Sequence, residues 1–151
     1  KPRNQPYNEE AMFGNKKNKP HNHIDTLIGA NTKVIGDIHF RGGLRVDGHI
    51  TGDITATDNE SSTLVLSSDG RIDGAIKVTH IIINGKVFGP VHAQGYLELQ
   101  EKSQVFGDIH YGTIEIHLGA LVEGKMVHLE NNDAQLSEKV IPLISAESES
   151  K

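Results

Sequence analysis

The stretch Val34-Ile35-Gly36-Asp37-Ile38 runs apolar, any residue, glycine, any residue, apolar, and the same order returns five more times along the chain. The copies are Ile50-Thr51-Gly52-Asp53-Ile54, Ile72-Asp73-Gly74-Ala75-Ile76, Val87-Phe88-Gly89-Pro90-Val91, Val105-Phe106-Gly107-Asp108-Ile109 and Val122-Glu123-Gly124-Lys125-Met126. Their glycines step by 16, 22, 15, 18 and 17 residues, and the longest step holds the polar insert Asp58-Asn59-Glu60-Ser61-Ser62. Six copies at nearly even spacing form an internal repeat, and a repeat of this length implies an array of like structural units.

An apolar-x-apolar pair precedes each copy: Leu44/Val46, Leu64/Leu66, Ile81/Ile83, Leu97/Leu99 and Ile114/Ile116, with Leu27/Ile28 as a weaker version in the first repeat. The step from the end of the pair to the next copy is six residues in most repeats. It is four at Val46 to Ile50 and at Ile83 to Val87, so one corner comes in a long and a short form. Alternation with period two is strand patterning, and no stretch carries apolar residues at helical spacing over a helical length. Strands of three to five residues between Gly, Asn, Asp or Ser corners are too short for hairpins at this repeat length, but they suit a parallel β-solenoid. There each strand pairs with its equivalent one coil later, at a rise of roughly 4.8 Å. Like residues then stack in columns, with Ile38, Ile54, Ile76, Val91 and Ile109 forming one of them. The recurring glycines fall where a coil bends or needs positive φ. About six coils cover residues 24–129 and make a rod some 30 Å long at that rise.

The 151 residues therefore divide into a flexible basic tail (1–23), one β-helical domain (24–129) and a flexible acidic tail (130–151). Trp is absent and aromatics make up 5%, so Ile, Val and Leu must build the core. There is no cysteine, which excludes disulfides and cysteine-zinc sites and fits a reducing compartment. No apolar run approaches the roughly 18 residues of a membrane span, and residues 1–23 lack a signal-peptide core, so a cytoplasmic protein is expected. Of the net charge of -5, the first tail contributes +3 and the last -3. The middle is thus acidic and offers no dominating basic face for nucleic acid.

A solenoid of this kind ends in two coils whose backbone edges lack partners, and such edges template further pairing unless blocked. The expected polymerisation surface at the first coil is Ile24, Leu27, Ile28, Val34 and Ile38. At the last coil it is Ile116, Leu118, Leu121, Val122, Met126, Val127 and Leu129. Neither end carries an amphipathic capping helix pattern. Residues 136–144 are apolar enough for a partial lid, although Pro142 argues against a regular helix.

Thr26-Leu27-Ile28-Gly29-Ala30 leading into Val34-Ile35-Gly36-Asp37-Ile38, with Gly-Asp-Ile again at 52–54 and 107–109, resembles the bactofilins, bacterial cytoskeletal proteins. The resemblance implies a right-handed parallel β-helix that polymerises end to end, without nucleotide, into non-polar filaments. It also implies frequent attachment to the cytoplasmic face of the inner membrane, with a role in organising cell shape or cell-wall enzymes. Met12-Phe13-Gly14-Asn15-Lys16-Lys17-Asn18-Lys19 resembles the Met-Phe-plus-lysines segment at the start of many members, though here eleven residues precede it. Met12, Phe13, Lys16, Lys17 and Lys19 are the membrane-binding candidates, since lysines near an anionic leaflet contribute on the order of 1 kcal/mol each. Partners implied are further copies of the chain, an anionic membrane surface and cell-wall enzymes, with no nucleotide and no nucleic acid.

Chemistry of other kinds finds little support. Gly119 to Met126 has the Gly and Lys spacing of a phosphate loop, but it lacks the Ser or Thr that binds magnesium and no helix follows. The histidines at 39, 49, 92, 110, 117 and 128 mostly follow an apolar repeat residue, where alternation points them outward. His80 begins a strand. With no carboxylates at matching spacing, no metal site and no cofactor is expected. Asp37, Asp53 and Asp108 recur in register as corner residues before they suggest paired catalytic carboxylates. A hexapeptide acyltransferase would need a strict six-residue period, which the glycine steps break. The alternative is a capped monomeric right-handed β-helix that binds or processes carbohydrate. The expectation is a structural subunit with no catalytic residues.

Overall fold

The computed structural model describes residues 23–57 and 61–130. Within them the chain winds through fifteen strands and no helix: β1 (Thr26–Ile28), β2 (Lys33–Ile35), β3 (Ile38–Phe40), β4 (Gly43–Val46), β5 (His49–Thr51), β6 (Ile54–Ala56), β7 (Thr63–Leu66), β8 (Arg71–Asp73), β9 (Ile76–Ile83), β10 (Lys86–Phe88), β11 (Val91–Leu99), β12 (Gln104–Phe106), β13 (Ile109–Ile116), β14 (Leu121–Glu123) and β15 (Met126–His128). All pairings are parallel and join each strand to its equivalent one coil on, so the fold is a β-solenoid of six coils.

Each coil has three faces. One face stacks β1, β4, β7 and the second halves of β9, β11 and β13. A second stacks β2, β5, β8, β10, β12 and β14. The third stacks β3, β6, the first halves of β9, β11 and β13, and finally β15. The three long strands bend through the corner between the third and first faces, where separate short strands were expected. The bend in β11 carries an extra residue, marked by a register shift between Ala93 and Tyr96.

Inward positions form the columns that alternation foretold. On the second face Val34, Ile50, Ile72, Val87, Val105 and Val122 are in register, and the four middle members are fully buried. On the first face the inner pair of the first coil is Thr26/Ile28, paired with Leu44 and Val46. The pair expected there, Leu27/Ile28, is displaced by one residue, since Leu27 pairs with Arg45 and faces out. Period two makes one residue of slip equal to a change of face.

The corner between the second and third faces is a glycine ladder. Gly52, Gly74, Gly89, Gly107 and Gly124 all have φ of 152 to 155°. A Cβ on Gly74 would lie 2.0 Å from the Gly52 carbonyl oxygen, and one on Gly124 would lie 2.1 Å from that of Gly107. Both the dihedral and the spacing therefore demand glycine. Beside the ladder, carboxylates cap the next coil. The Asp53 N–H donates to Asp37 Oδ1 at 2.9 Å, Ala75 N–H to Asp53 Oδ1 at 2.9 Å and Lys125 N–H to Asp108 Oδ1 at 3.0 Å. Where the chain places Ala75, with no acceptor, the residue above it is Pro90, with no donor. The recurring aspartates are thus corner caps.

The corner after the first face shows its two lengths directly. Long corners close with their own turn bond, as in Thr32 N–H to Gly29 O at 3.0 Å and Gly70 N–H to Ser67 O at 2.9 Å. The short corners at Gly48 and Gly85 nest on these, each glycine lying where a Cβ would meet two carbonyl oxygens of the long corner before it. Coil-to-coil bonds continue on either side, so extra residues bulge outward without breaking the stack.

His80 does not begin a strand but lies inside β9, opposite Thr63 and Tyr96, and is 8% exposed. Burial holds its imidazole below the ordinary histidine range, against a pull in the other direction from the Ser62 backbone. His92 is lowered too, by burial and then by the charges of Lys77 and His110.

Two outcomes are expected. Gly74→Ala should lower unfolding stability by about 3 kcal/mol or more through strain and overlap. Gly36→Ala, at φ 131° with nothing within 4 Å of the added Cβ, should cost only the strain, and urea melts of the two variants will separate them. A histidine with depressed pKa is protonated in the unfolded chain before the folded one. Its stabilisation is complete above about pH 6.5 and is lost as pH falls from there towards its folded pKa. Melting temperature should drop between pH 7.5 and 5, and His80→Gln should flatten that drop without abolishing it, because His92 contributes with the same sign.

Candidate assembly surfaces

The interactions that join coil to coil stop at the two ends of the rod. At the first coil, β1, β2 and β3 each have a strand partner on one side only, and at the last coil so do the second half of β13, β14 and β15. Among the described residues no strand or helix covers either edge. The inward columns end there as well, on Thr26, Ile28, Val34, Ile38 and Phe40 at one end. At the other they end on Ile114, Ile116, Val122, Met126 and His128. The ends differ in how open they are: Ile28 and Phe40 are buried, whereas Ile116 is 49% and Met126 40% exposed.

Register sorts nine of the twelve residues expected at these surfaces into two groups. Ile28, Val34, Ile38, Ile116, Val122 and Met126 do occupy the inward columns of the terminal coils. Leu27, Leu121 and Val127 lie in outward columns, in line with Arg45, Gln104 and His110 respectively, so they belong to the flanks. Leu118, 94% exposed, sits on the tip of the last long corner, and Ile24 precedes the first strand. Leu129 follows β15 and donates its N–H to Tyr111 O at 2.7 Å. Apolar identity alone does not reveal orientation, and the inward Thr26, Phe40 and His128, together with Ile114 of the Ile114/Ile116 pair, also line these end faces. Counting alternate residues from the neighbouring coil finds them. Met12, Phe13, Lys16, Lys17 and Lys19, and the 136–144 segment, lie outside the described residues.

The flanks carry ladders of their own. On the second face His49 Nε2 lies 2.8 Å from Asp73 Oδ2, and Arg71 Nε donates to Asp73 Oδ1 at 3.0 Å. Partial burial would raise the Asp73 carboxyl, but these two partners bring it below its ordinary value. Arg71 also lies over the Phe88 ring at 4.3 Å, and Phe88 stacks on Phe106 at 4.9 Å. Two neighbouring outward columns, one through His49 and Arg71 and the other through Asp73, Phe88 and Phe106, thus tie four consecutive coils together. On the third face His92 and His110 stack at 5.8 Å beside a shallow groove lined by Thr55, Lys77, Thr79 and Gln94. His128 is an exception to outward histidines: it continues the inward register beyond Tyr111 and meets that ring edge-on at 5.5 Å.

The glycines of the phosphate-loop-like stretch are both corner residues of the last coil, Gly119 before β14 and Gly124 after it. No helix of the described residues is long and apolar enough to cross a membrane.

Comparison with known proteins places this rod among relatives. A family model described as Bactofilin, polymer-forming cytoskeletal, matches residues 26–127, which are the six coils. Bactofilin BacP of Myxococcus xanthus (strain DK1622) is 26% identical over 102 residues, covering 68% of this chain and 41% of that protein. Bactofilin BacO of the same organism is 28% identical over 102 residues, covering 68% and 78%. The chain therefore spans less than half the length of the first of these relatives. Among solved structures, a Thermus thermophilus bactofilin reconstructed by cryo-EM as double helical filaments matches with a TM-score of 0.59 and 22% identity, covering 69% of this chain and 99% of that one. That likeness is one of fold.

Proposed function

The chain belongs to the bactofilin family of polymer-forming cytoskeletal proteins, and from this premise we propose that it is a scaffold subunit whose rods join end to end into filaments without nucleotide. The observation that carries the reading is the pair of open terminal coils, each with an unpaired backbone edge and a cut apolar column. An end face burying some hundreds of Å² gains several kcal/mol at about 25 cal/mol per Å² before the cost of association. The assembling unit is residues 24–129. The first-end contacts are Thr26, Ile28, Val34 and Ile38, and the last-end contacts are Ile114, Ile116, Val122 and Met126. Like ends meet, which makes both contacts two-fold and the filament non-polar.

The finer role is to hold cell-shape or cell-wall machinery at the cytoplasmic face of the inner membrane. Met12 and Phe13 add apolar burial there and Lys16, Lys17 and Lys19 add charge attraction. A single peptide of this kind binds feebly, and a filament displaying many binds by avidity. The subunit acts by structure and recruitment, with no reaction of its own.

Negative-stain microscopy of the wild-type chain should show filaments. Met126→Lys or Val34→Lys should leave a folded rod by circular dichroism that no longer elongates, whereas Leu27→Lys, on the flank, should still form filaments. Filaments of normal length from both end variants would sink the end-to-end reading, and monodisperse wild-type particles that bind glycan would favour the carbohydrate alternative.

Membrane attachment is tested separately by co-sedimentation with vesicles containing anionic lipid. Pelleting should fall several-fold on deleting residues 1–19 and on raising salt, since the attraction is screened. Equal pelleting with and without those residues would remove the membrane role.

A further inference from the structure

The coil register brings together a cluster that the linear spacing of histidines and carboxylates does not announce. Glu98 in β11 and Glu115 in β13 are directly paired in one outward column, whose members in earlier coils are Leu27, Arg45, Val65 and Ile82. Two carboxylates placed opposite each other on neighbouring strands repel, and only in the last two coils does the column carry such a pair. His117, two residues beyond Glu115, turns to the same side. Its Nε2 lies 3.1 Å from Glu98 Oε2 and 3.2 Å from Glu115 Oε2. That nitrogen is closed off from solvent and faces both carboxylate oxygens. One donor atom from each of the three residues falls within 4.8 Å of the other two.

The remaining contacts hold the carboxylates in place. The Tyr96 hydroxyl donates to Glu115 Oε1 at 2.6 Å, which leaves Oε2 turned to the histidine, and Gln100 Nε2 donates to Glu98 Oε2 at 3.1 Å. Hydrogen-bonded carboxylates beside an imidazole are a usual surround of a metal site, where outer groups orient the ligands. Ligands at about 2.0 to 2.1 Å from a tetrahedral ion stand about 3.3 Å apart, close to the two separations seen here.

We propose that Glu98, Glu115 and His117 form a divalent transition-metal site of the zinc class, with a fourth position open to water. One nitrogen with two carboxylate oxygens suits zinc better than magnesium or calcium, which favour all-oxygen sets. The ion relieves the repulsion between the two carboxylates and ties the last coil to the one before it. Ile116, an apolar residue of the last end face, lies between two of the ligands, so the site steadies the strand from which it projects.

The test is titration of the full chain with zinc chloride against a chromophoric zinc indicator near pH 7.5, alone and with millimolar magnesium. The expected result is a tight equivalent per chain that magnesium does not displace, weakened at least about tenfold in both Glu98→Gln and His117→Gln, together with a rise in melting temperature on adding zinc that both variants lose. Circular dichroism of the zinc-free variants checks that they fold. Two results would overturn the proposal. One is zinc binding of equal affinity by wild type and both variants, which would put the ion on other histidines. The other is no binding at micromolar zinc, which would leave the cluster a polar contact of His117 with the two carboxylates and no metal site.

Discussion

In-register parallel pairing between successive coils is the interaction on which the rest of this molecule depends. Because each strand lies directly over its equivalent, at a rise of roughly 4.8 Å, a residue's environment is set mainly by the residue at the same place one coil away. An apolar position must be followed by an apolar position, and a glycine whose carbonyl fills the space above it must be followed by another glycine. The carboxylate at Asp53 is useful because Ala75 offers an N–H above it, and the missing acceptor at Ala75 is harmless because Pro90 has no N–H to offer. Sequence varies more freely where the chain leaves the stack, at the long corners.

A structure held together in this way has a consequence at its ends. Stability accumulates coil by coil through nearest-neighbour contacts, so nothing inside the rod compensates a terminal coil for its missing neighbour. Folds that must stay monomeric blunt such edges with charge, proline or a covering helix. The described terminal strands here carry inward Ile, Val and Met instead. The physical expectation is therefore that the rod offers the same pairing to another copy, in a chain whose family is polymer-forming.

The columns were legible because period-two alternation and a glycine in each coil survive every change of corner length. Orientation was less legible at the ends. In the first coil a Thr at position 26 takes the inward place, which drew the apolar reading on to Leu27. In the last coil Leu121 and Val127 are apolar yet outward. Interior coils are constrained from both sides, while a terminal coil is constrained from one, so its sequence departs furthest from the pattern. The bent strands β9, β11 and β13 were missed for a related reason: Thr79, Gly95 and Gly112 pass the corner without the polar run that marks the other corners. The cluster of Glu98, Glu115 and His117 was hidden because its members are neighbours through register, and coil length varies too much for linear spacing to reveal it.

The two ends are not equivalent, and that matters for any filament in which like meets like. Ile28 and Phe40 are already covered at the first end, whereas Ile116 and Met126 remain open at the last. Joining two last coils removes more apolar surface from water than joining two first coils, and at about 25 cal/mol per Å² even 100 Å² of difference corresponds to some 2.5 kcal/mol, or between tenfold and a hundredfold in affinity. Growth would then proceed from pairs of rods joined at their last coils, with the weaker first-coil joint deciding filament length. A rod with local couplings allows this, because the ordering of one terminal coil can be altered without disturbing the five beneath it.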